Sequence, residues 1–253
     1  IETNQDEPWF LYLSYNAPHT PCSAPKDKLQ QFADVEDPKR RMMAAMMSSL
    51  DDGVGQIVAA LKASGQLENT LVWFLSDNGG PTAKNGSRND PFSGLKGDVY
   101  EGGIRVPFML SWPGTLPQGQ VISDPVISLD ILPTSLAAAG VAQVPEIHEG
   151  NNLLPWLTGQ GDFPNEVLYW SWRRNNQAIR IGSLKEIRNG RPIPALDGTQ
   201  IPKHNFVDLA SNPTELAGEH SLKSPEKKQL LASRLDAWLE QLEADAKVLT
   251  PKK

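Results

Sequence analysis

Three short stretches carry side chains that could do chemistry. In "NTLVWFLSDNGG" an apolar run from Leu71 to Ser76 stops abruptly at Asp77, Asn78, Gly79 and Gly80. A carboxylate and an amide carbonyl in sequence are hard oxygen donors of the kind a calcium or magnesium ion takes. In "NAPHTPC" a single imidazole, His19, stands between Pro18 and Pro21, and in "GLKG" a single ammonium group, Lys96, stands between two glycines. An imidazole can move a proton near neutral pH. A lysine can offset developing negative charge. Together they make a coherent set for an anionic substrate and a metal ion. Each has a plainer reading: Asp-Asn-Gly is ordinary turn chemistry, a histidine among prolines is an ordinary loop residue, and a lone lysine is ordinary solvated surface.

Such groups act together only if the fold brings them to one place. "PWFLYLSY", from Trp9 to Tyr15, reads as a buried strand ended by Pro18 and Pro21. A long helix follows over about 38–63. Met43, Met47, Leu50, Val54, Ile57, Val58 and Leu61 recur at three- and four-residue spacing, with Pro38 in the first turn and Gly65 as the stop. Asp51 and Asp52 fall inside it, on a solvated face or in a local ion pair. The strand ending at Asp77 comes next, so the order strand, helix, strand predicts a βαβ crossover between parallel strands. In parallel α/β sheets the ligand crevice lies beyond the carboxyl ends of the strands, where His19, Asp77 and Asn78 would then meet. "RVPFMLSWPG" supplies a third strand over Val106 to Trp112, and "SLDILPTSLAAAG" a short helix ending at Gly140.

From about Gly161 the texture changes. "VLYWSWRRNNQAIRIGSLKEIRNGR" reads as short strands joined by turns and "HNFVDLASNP" as one more, before a final amphipathic helix from Pro225 to Lys247. Trp170, Trp172, Arg173 and Arg174 could line a sugar-sulfate pocket, and strand amphipathicity explains the tryptophans equally well. His148, His204 and His220 read as loop residues. The predicted organisation is a large α/β unit over 1–160 and a small α+β unit over 161–253.

Composition narrows the partners. A net charge of −6 argues against non-specific nucleic-acid binding. No run of about 18 apolar residues is available to cross a membrane. One cysteine, Cys22, permits no internal disulfide.

"APHTP", "LVWFLSDNGG", "GLKGDVYEGGIRVP" and "LDILPTSLAAAG", in that order, resemble the second half of a sulfatase of the arylsulfatase type, within the alkaline-phosphatase-like superfamily. "AIRIGSLKEI" followed by "FVDLASNPTELAGE" resembles that family's closing strands. The resemblance implies a mostly parallel sheet flanked by helices, with a small C-terminal antiparallel sheet and helix. It implies that Asp77 and Asn78 are two of four protein ligands of a calcium ion, with magnesium as the alternative. It further implies that His19 contacts the sulfate ester and serves the leaving oxygen, and that Lys96 also contacts the sulfate. Glu101, Gly102, Gly103 and Arg105 read as structural, a tight glycine turn with an ion pair nearby.

The family's formylglycine nucleophile arises within a C/S-x-P-x-R signature, which this sequence lacks at "PCSAPK", "SAPKD" and "SWPGT". The paired aspartates that complete the calcium site in the family are also missing. With Ile1 rather than Met at the start, the expectation is the C-terminal part of a sulfatase, inactive alone and completed by an N-terminal half. Its substrate would be a sulfated sugar or an aryl sulfate, and its location periplasmic, secreted or lysosomal, as in the family. The sequon-like "NGS" at Asn85 lies in the active-site loop and is discounted as a glycosylation site. The alternatives are a phosphodiesterase or phosphonate monoester hydrolase of the same superfamily, disfavoured by Asn78, and a non-catalytic remnant that binds a sulfated glycan.

Overall fold

The structure is a computed structural model, and it describes residues 1–4, 7–141, 148–173, 175–188, 193–194, 198–217 and 221–249. A short helix, α1 (Lys26–Gln31), leads into the long helix α2 (Pro38–Ala63). Its ends are set by local chemistry. The Asp37 side chain accepts from the Lys39 amide, and Pro38 occupies the first turn. At the other end Gly65 adopts φ +71°. The Gly65 amide donates to Lys62 O and the Gln66 amide to Leu61 O, a Schellman closure. The apolar stripe is slightly rotated from the expected one: Met46, with Ala45, Leu50 and Leu61, is buried while Met47 is exposed. Asp51 and Asp52 are both exposed, and Asp52 pairs with Lys28 of α1.

Strand β1 (Val72–Leu75) pairs with β2 (Phe108–Ser111), Val72 opposite Ser111 and Leu75 opposite Phe108. The pairing is antiparallel, and the predicted crossover into β1 is absent among the described residues. The anticipated first strand is the reason. Trp9 to Tyr15 forms no strand; Trp9 Nε1 donates to Gln66 Oε1, just past the end of α2, at 2.7 Å, and the Tyr15 hydroxyl lies beside Gly53 of α2. A strand exists only through its neighbour, and none of the described residues pairs with this segment. Phe10 is 82% exposed and Tyr12 80%, with Leu11 and Leu13 also exposed. Behind β1, helix α4 (Ile131–Ala138) packs through a Trp73 Nε1 bond to Ser135 Oγ of 3.1 Å. A helical turn, α3 (Glu101–Ile104), precedes β2 and a second, α5 (Leu154–Leu157), follows α4. Buried Asp130 clamps this region by accepting from the amides of Ile127 and Asn151 and from Asn165 Nδ2.

The C-terminal sheet is antiparallel in the order β3 (Val167–Trp172), β4 (Asn176–Ile181), β5 (Leu184–Arg188), β8 (His204–Asp208), with a two-stranded ribbon of β6 (Ile193–Pro194) and β7 (Gln200–Ile201) beside it. His204 thus opens a strand rather than lying in a loop. The sheet has two apolar faces. Tyr169, Ile179, Ile181 and Phe206 meet Leu231, Leu235 and Trp238 of the final helix α6 (Pro225–Leu249). On the opposite face Trp170, Ala178, Ile187 and Val207 pack on Val99 and Tyr100, which belong to the "GLKGDVYEGG" segment. The second face therefore positions the loop that carries Lys96.

Candidate active site

The turn after β1 and the Lys96 loop are joined through backbone. Gly79 N donates to Gly103 O at 2.9 Å, and Lys96 N donates to Gly80 O at 3.3 Å. Asn89 closes the same junction: its Oδ1 accepts from Gly80 N at 2.9 Å, while its Nδ2 donates to Gly80 O and Gly94 O. The approach is close enough to require glycine, since a Cβ on Gly79 would fall 1.8 Å from Gly102 O. Gly79 therefore seats the strand end on "EGG", while Gly80 packs against Ser87.

Asp77 and Lys96 are exposed and Asn78 is half-buried. Asn78 Nδ2 donates to Gly79 O at 3.0 Å, which turns its carbonyl oxygen, the atom a hard cation takes, away from that bond. The donor set suits calcium in kind, although no group of three or more His, Cys, Asp or Glu among the described residues could hold a metal. His19 is exposed, and its bonds are local: its amide donates to Asn16 O and Nδ1 lies 2.6 Å from Thr20 O. The structure thus joins Lys96 to the Asp77–Asn78 turn, while no hydrogen bond in it ties His19 to either. Asn85, within the loop, is buried with its side chain against Met43, in keeping with discounting its sequon.

Beneath the loop lies a charged cluster whose members beyond Glu101 and Arg105 the sequence reading did not single out. Lys185 of β5 is 0% exposed and bonds Glu101 Oε1 and Glu215 Oε1, each at 2.7 Å. Glu215 Oε2 accepts the Glu101 amide at 2.7 Å. Arg180 and Arg105 approach Glu101 Oε2 at 3.7 and 3.8 Å. Ser93 Oγ adds a bond to Thr214 O at 2.6 Å. The ion pair expected near Glu101 is therefore present and larger than anticipated. Burial pushes Glu101 up, but Lys185, Arg180 and Arg105 outweigh it and hold the carboxyl below its ordinary value. Glu215, fully buried beside Glu101, is pushed up to about 7 against the opposing charge of Lys185. Burial lowers Lys185, and its two carboxylates more than reverse that.

These directions give a test. Between the ordinary value of 4.5 and about 7, the folded protein keeps a proton on Glu215 that the unfolded chain has lost. The contribution of Glu215 to stability must then fall as pH rises through that window. Glu101 acts in the opposite sense, its contribution being lost as pH falls through its lowered value. Glu215→Gln is expected to remove the decline between pH 5 and 7, whatever its effect on absolute stability. Urea midpoints of both proteins at several pH values check this, and equal slopes would assign the proton elsewhere.

Residues 1–141 match the Sulfatase family, and residues 96–245 match the family described as N-sulphoglucosamine sulphohydrolase, C-terminal. The chain belongs to the sulfatase family. This sulfatase chain is 40% identical to human arylsulfatase A over 191 residues, 72% of this chain and 36% of that protein. It is 37% identical to the uncharacterized sulfatase YdeN of Escherichia coli (strain K12) over 174 residues, 65% of this chain and 30% of that one. Among solved structures it is similar to Ps i-CgsB in complex with k-i-k-neocarrahexaose. There the identity is 33% and the TM-score 0.81, over 95% of this chain and 51% of that one. The chain thus spans about a third of the length of these curated relatives and about half of that solved structure. No described helix of this sulfatase chain is long and apolar enough to cross a membrane.

Proposed function

We propose that this chain is the C-terminal part of an enzyme that hydrolyses sulfate esters, with a sulfated sugar as the substrate class. What supports the reading is the backbone bond from Lys96 N to Gly80 O, which joins the loop carrying Lys96 to the end of the strand carrying Asp77 and Asn78. Residues 1–160 form part of the catalytic domain and 161–253 a small subdomain that braces it. Asp77 and Asn78 hold one calcium ion, or magnesium in its place, with further ligands from residues outside this chain. A bound divalent cation supplies positive charge that lowers the cost of negative charge on sulfate oxygens. The formylglycine nucleophile also lies outside this chain, which alone is inactive.

Within this chain the work is orientation and charge. Lys96 contacts the sulfate and offsets charge on the bridging oxygen. His19 donates through Nδ1–H to Thr20 O, so in the doubly protonated ring the second proton, on Nε2, is the one passed to the leaving oxygen, which leaves the ring neutral with Nδ1–H still bonded. The exposed apolar row from Phe10 to Leu13 is the edge on which the N-terminal half of the domain docks. Sugar sulfates reach the reading from Ps i-CgsB, whose structure holds a neocarrahexaose. Periplasmic or secreted location follows from the family alone.

The intact protein, supplied with calcium, is expected to hydrolyse 4-nitrophenyl sulfate and to prefer it to bis(4-nitrophenyl) phosphate and to a phenyl phosphonate. A reversed preference would move the protein to the phosphonate and phosphodiester branch. Turnover of none of these would favour a non-catalytic glycan binder.

A further inference from the structure

The tryptophans of β3 separate in the structure. Trp170 and Trp172 lie two residues apart and so on the same face of the sheet. Trp170 packs on the core around Val99 and Tyr100, with Lys185 Nζ 5.9 Å from its ring centre. Trp172, where the strand outruns that core, is 49% exposed. Strand amphipathicity accounts for Trp170 and leaves Trp172 unexplained.

The tip of the β3–β4 hairpin is fixed beside the Lys96 loop. Asn176, opposite Trp172 in the register, donates from Nδ2 to Gly97 O at 3.1 Å. Trp172 Nε1 comes within 3.5 Å of the place a Gly97 Cβ would occupy. Arg173 places its guanidinium 5.5 Å from the Trp172 ring centre. An exposed indole thus carries one cation, Arg173, at its ring and lies against Gly97, the neighbour in sequence of the exposed Lys96, in a chain whose net charge is −6. Arg174, the fourth member of the sequence cluster, lies outside the described residues.

We infer that Trp172 and Arg173 form a sugar-binding subsite beside Lys96, which takes the residue adjoining the sulfated one in a sulfated oligosaccharide. The indole face packs on pyranose C–H groups, and the guanidinium pairs with a second anionic group on the glycan. Attachment through Asn176 and Gly97 keeps that platform in register with the lysine that contacts the ester. The inference rests on the sulfate-ester reading, which it deepens by requiring a substrate of at least two sugar units.

The test uses the intact protein and its Trp172→Ala, Trp172→Phe and Arg173→Ala variants. Binding of sulfated hexasaccharides from carrageenan, chondroitin sulfate and heparan sulfate is measured by calorimetry, alongside turnover of 4-nitrophenyl sulfate. At least one hexasaccharide is expected to bind, with an affinity about tenfold weaker in Trp172→Ala and largely restored by Trp172→Phe. Arg173→Ala is expected to weaken binding and to reduce its salt dependence. The ratio of kcat/KM for that hexasaccharide to kcat/KM for the aryl sulfate should fall by the same factor in Trp172→Ala. No binding of any hexasaccharide, or unchanged affinity in Trp172→Ala, overturns the subsite. Weaker hexasaccharide binding in Trp172→Ala with no turnover of any ester by the parent protein would keep the subsite and overturn the hydrolase reading.

Discussion

Asp77→Ala in the intact protein is expected to lower calcium-dependent turnover of an aryl sulfate by about a hundredfold to a thousandfold. A divalent cation acting on a developing oxyanion is worth several kcal/mol, and each 1.4 kcal/mol or so is a factor of ten in rate. Asp77 would supply the anionic member of the two proposed donors in this chain, so its loss should cost more than Asn78→Ala. The side chain is exposed at the strand end, so the fold has no reason to suffer. Thermal unfolding without added calcium should therefore match the parent protein while turnover collapses. Raising the calcium concentration should recover part of the loss. Turnover within twofold of the parent would take Asp77 out of the metal site.

Lys185→Met is expected to destabilise the protein by about 3–5 kcal/mol, because it leaves Glu101 and Glu215 facing each other without the cation between them. Arg180 and Arg105 stand 3.7 and 3.8 Å from one oxygen of Glu101, too far to replace two bonds of 2.7 Å. The loss corresponds to a fall of about 10 °C in unfolding temperature for a protein of this size. Adding Glu215→Gln to Lys185→Met replaces one of the two stranded carboxyl groups by an amide and should recover part of it, a departure from additivity that marks direct coupling. Urea titrations of the two single variants and the double variant supply the comparison. Strictly additive effects would show that the three side chains do not act as a unit.

Local features were legible in the sequence. The bounds of α2 follow from Pro38, Gly65 and a helical period, all within one turn of where they act. The strand before Asp77 and the change of texture near Gly161 were equally readable. Trp9 to Tyr15 shows where that ends: the run has the composition of a buried strand, but strand pairing belongs to whatever lies alongside, and here the segment meets Gly53 of α2 and Gln66 just past its end. Lys185 was invisible for a similar reason. In "SLKEI" it looks like the polar member of an alternating strand, and only a partner 84 residues away, Glu101, makes it a buried ion. The glycines after Asn78 were read as turn chemistry, when the closer constraint is the carbonyl of Gly102 on Gly79 and the side chain of Ser87 on Gly80. His220, read as a loop residue, lies outside the described residues.

The bond from the Glu101 amide to Glu215 spans 114 residues, and that from Ser93 to Thr214 spans 121. A ribosome adding about 5–20 residues per second needs on the order of ten seconds to cover such a gap. Throughout that interval the loop bearing Lys96 has been made while the buried partners that brace it are still to come. The Lys96 loop therefore gains its full brace only after Glu215 has been made, and a nascent chain released before Glu215 would carry the loop without it.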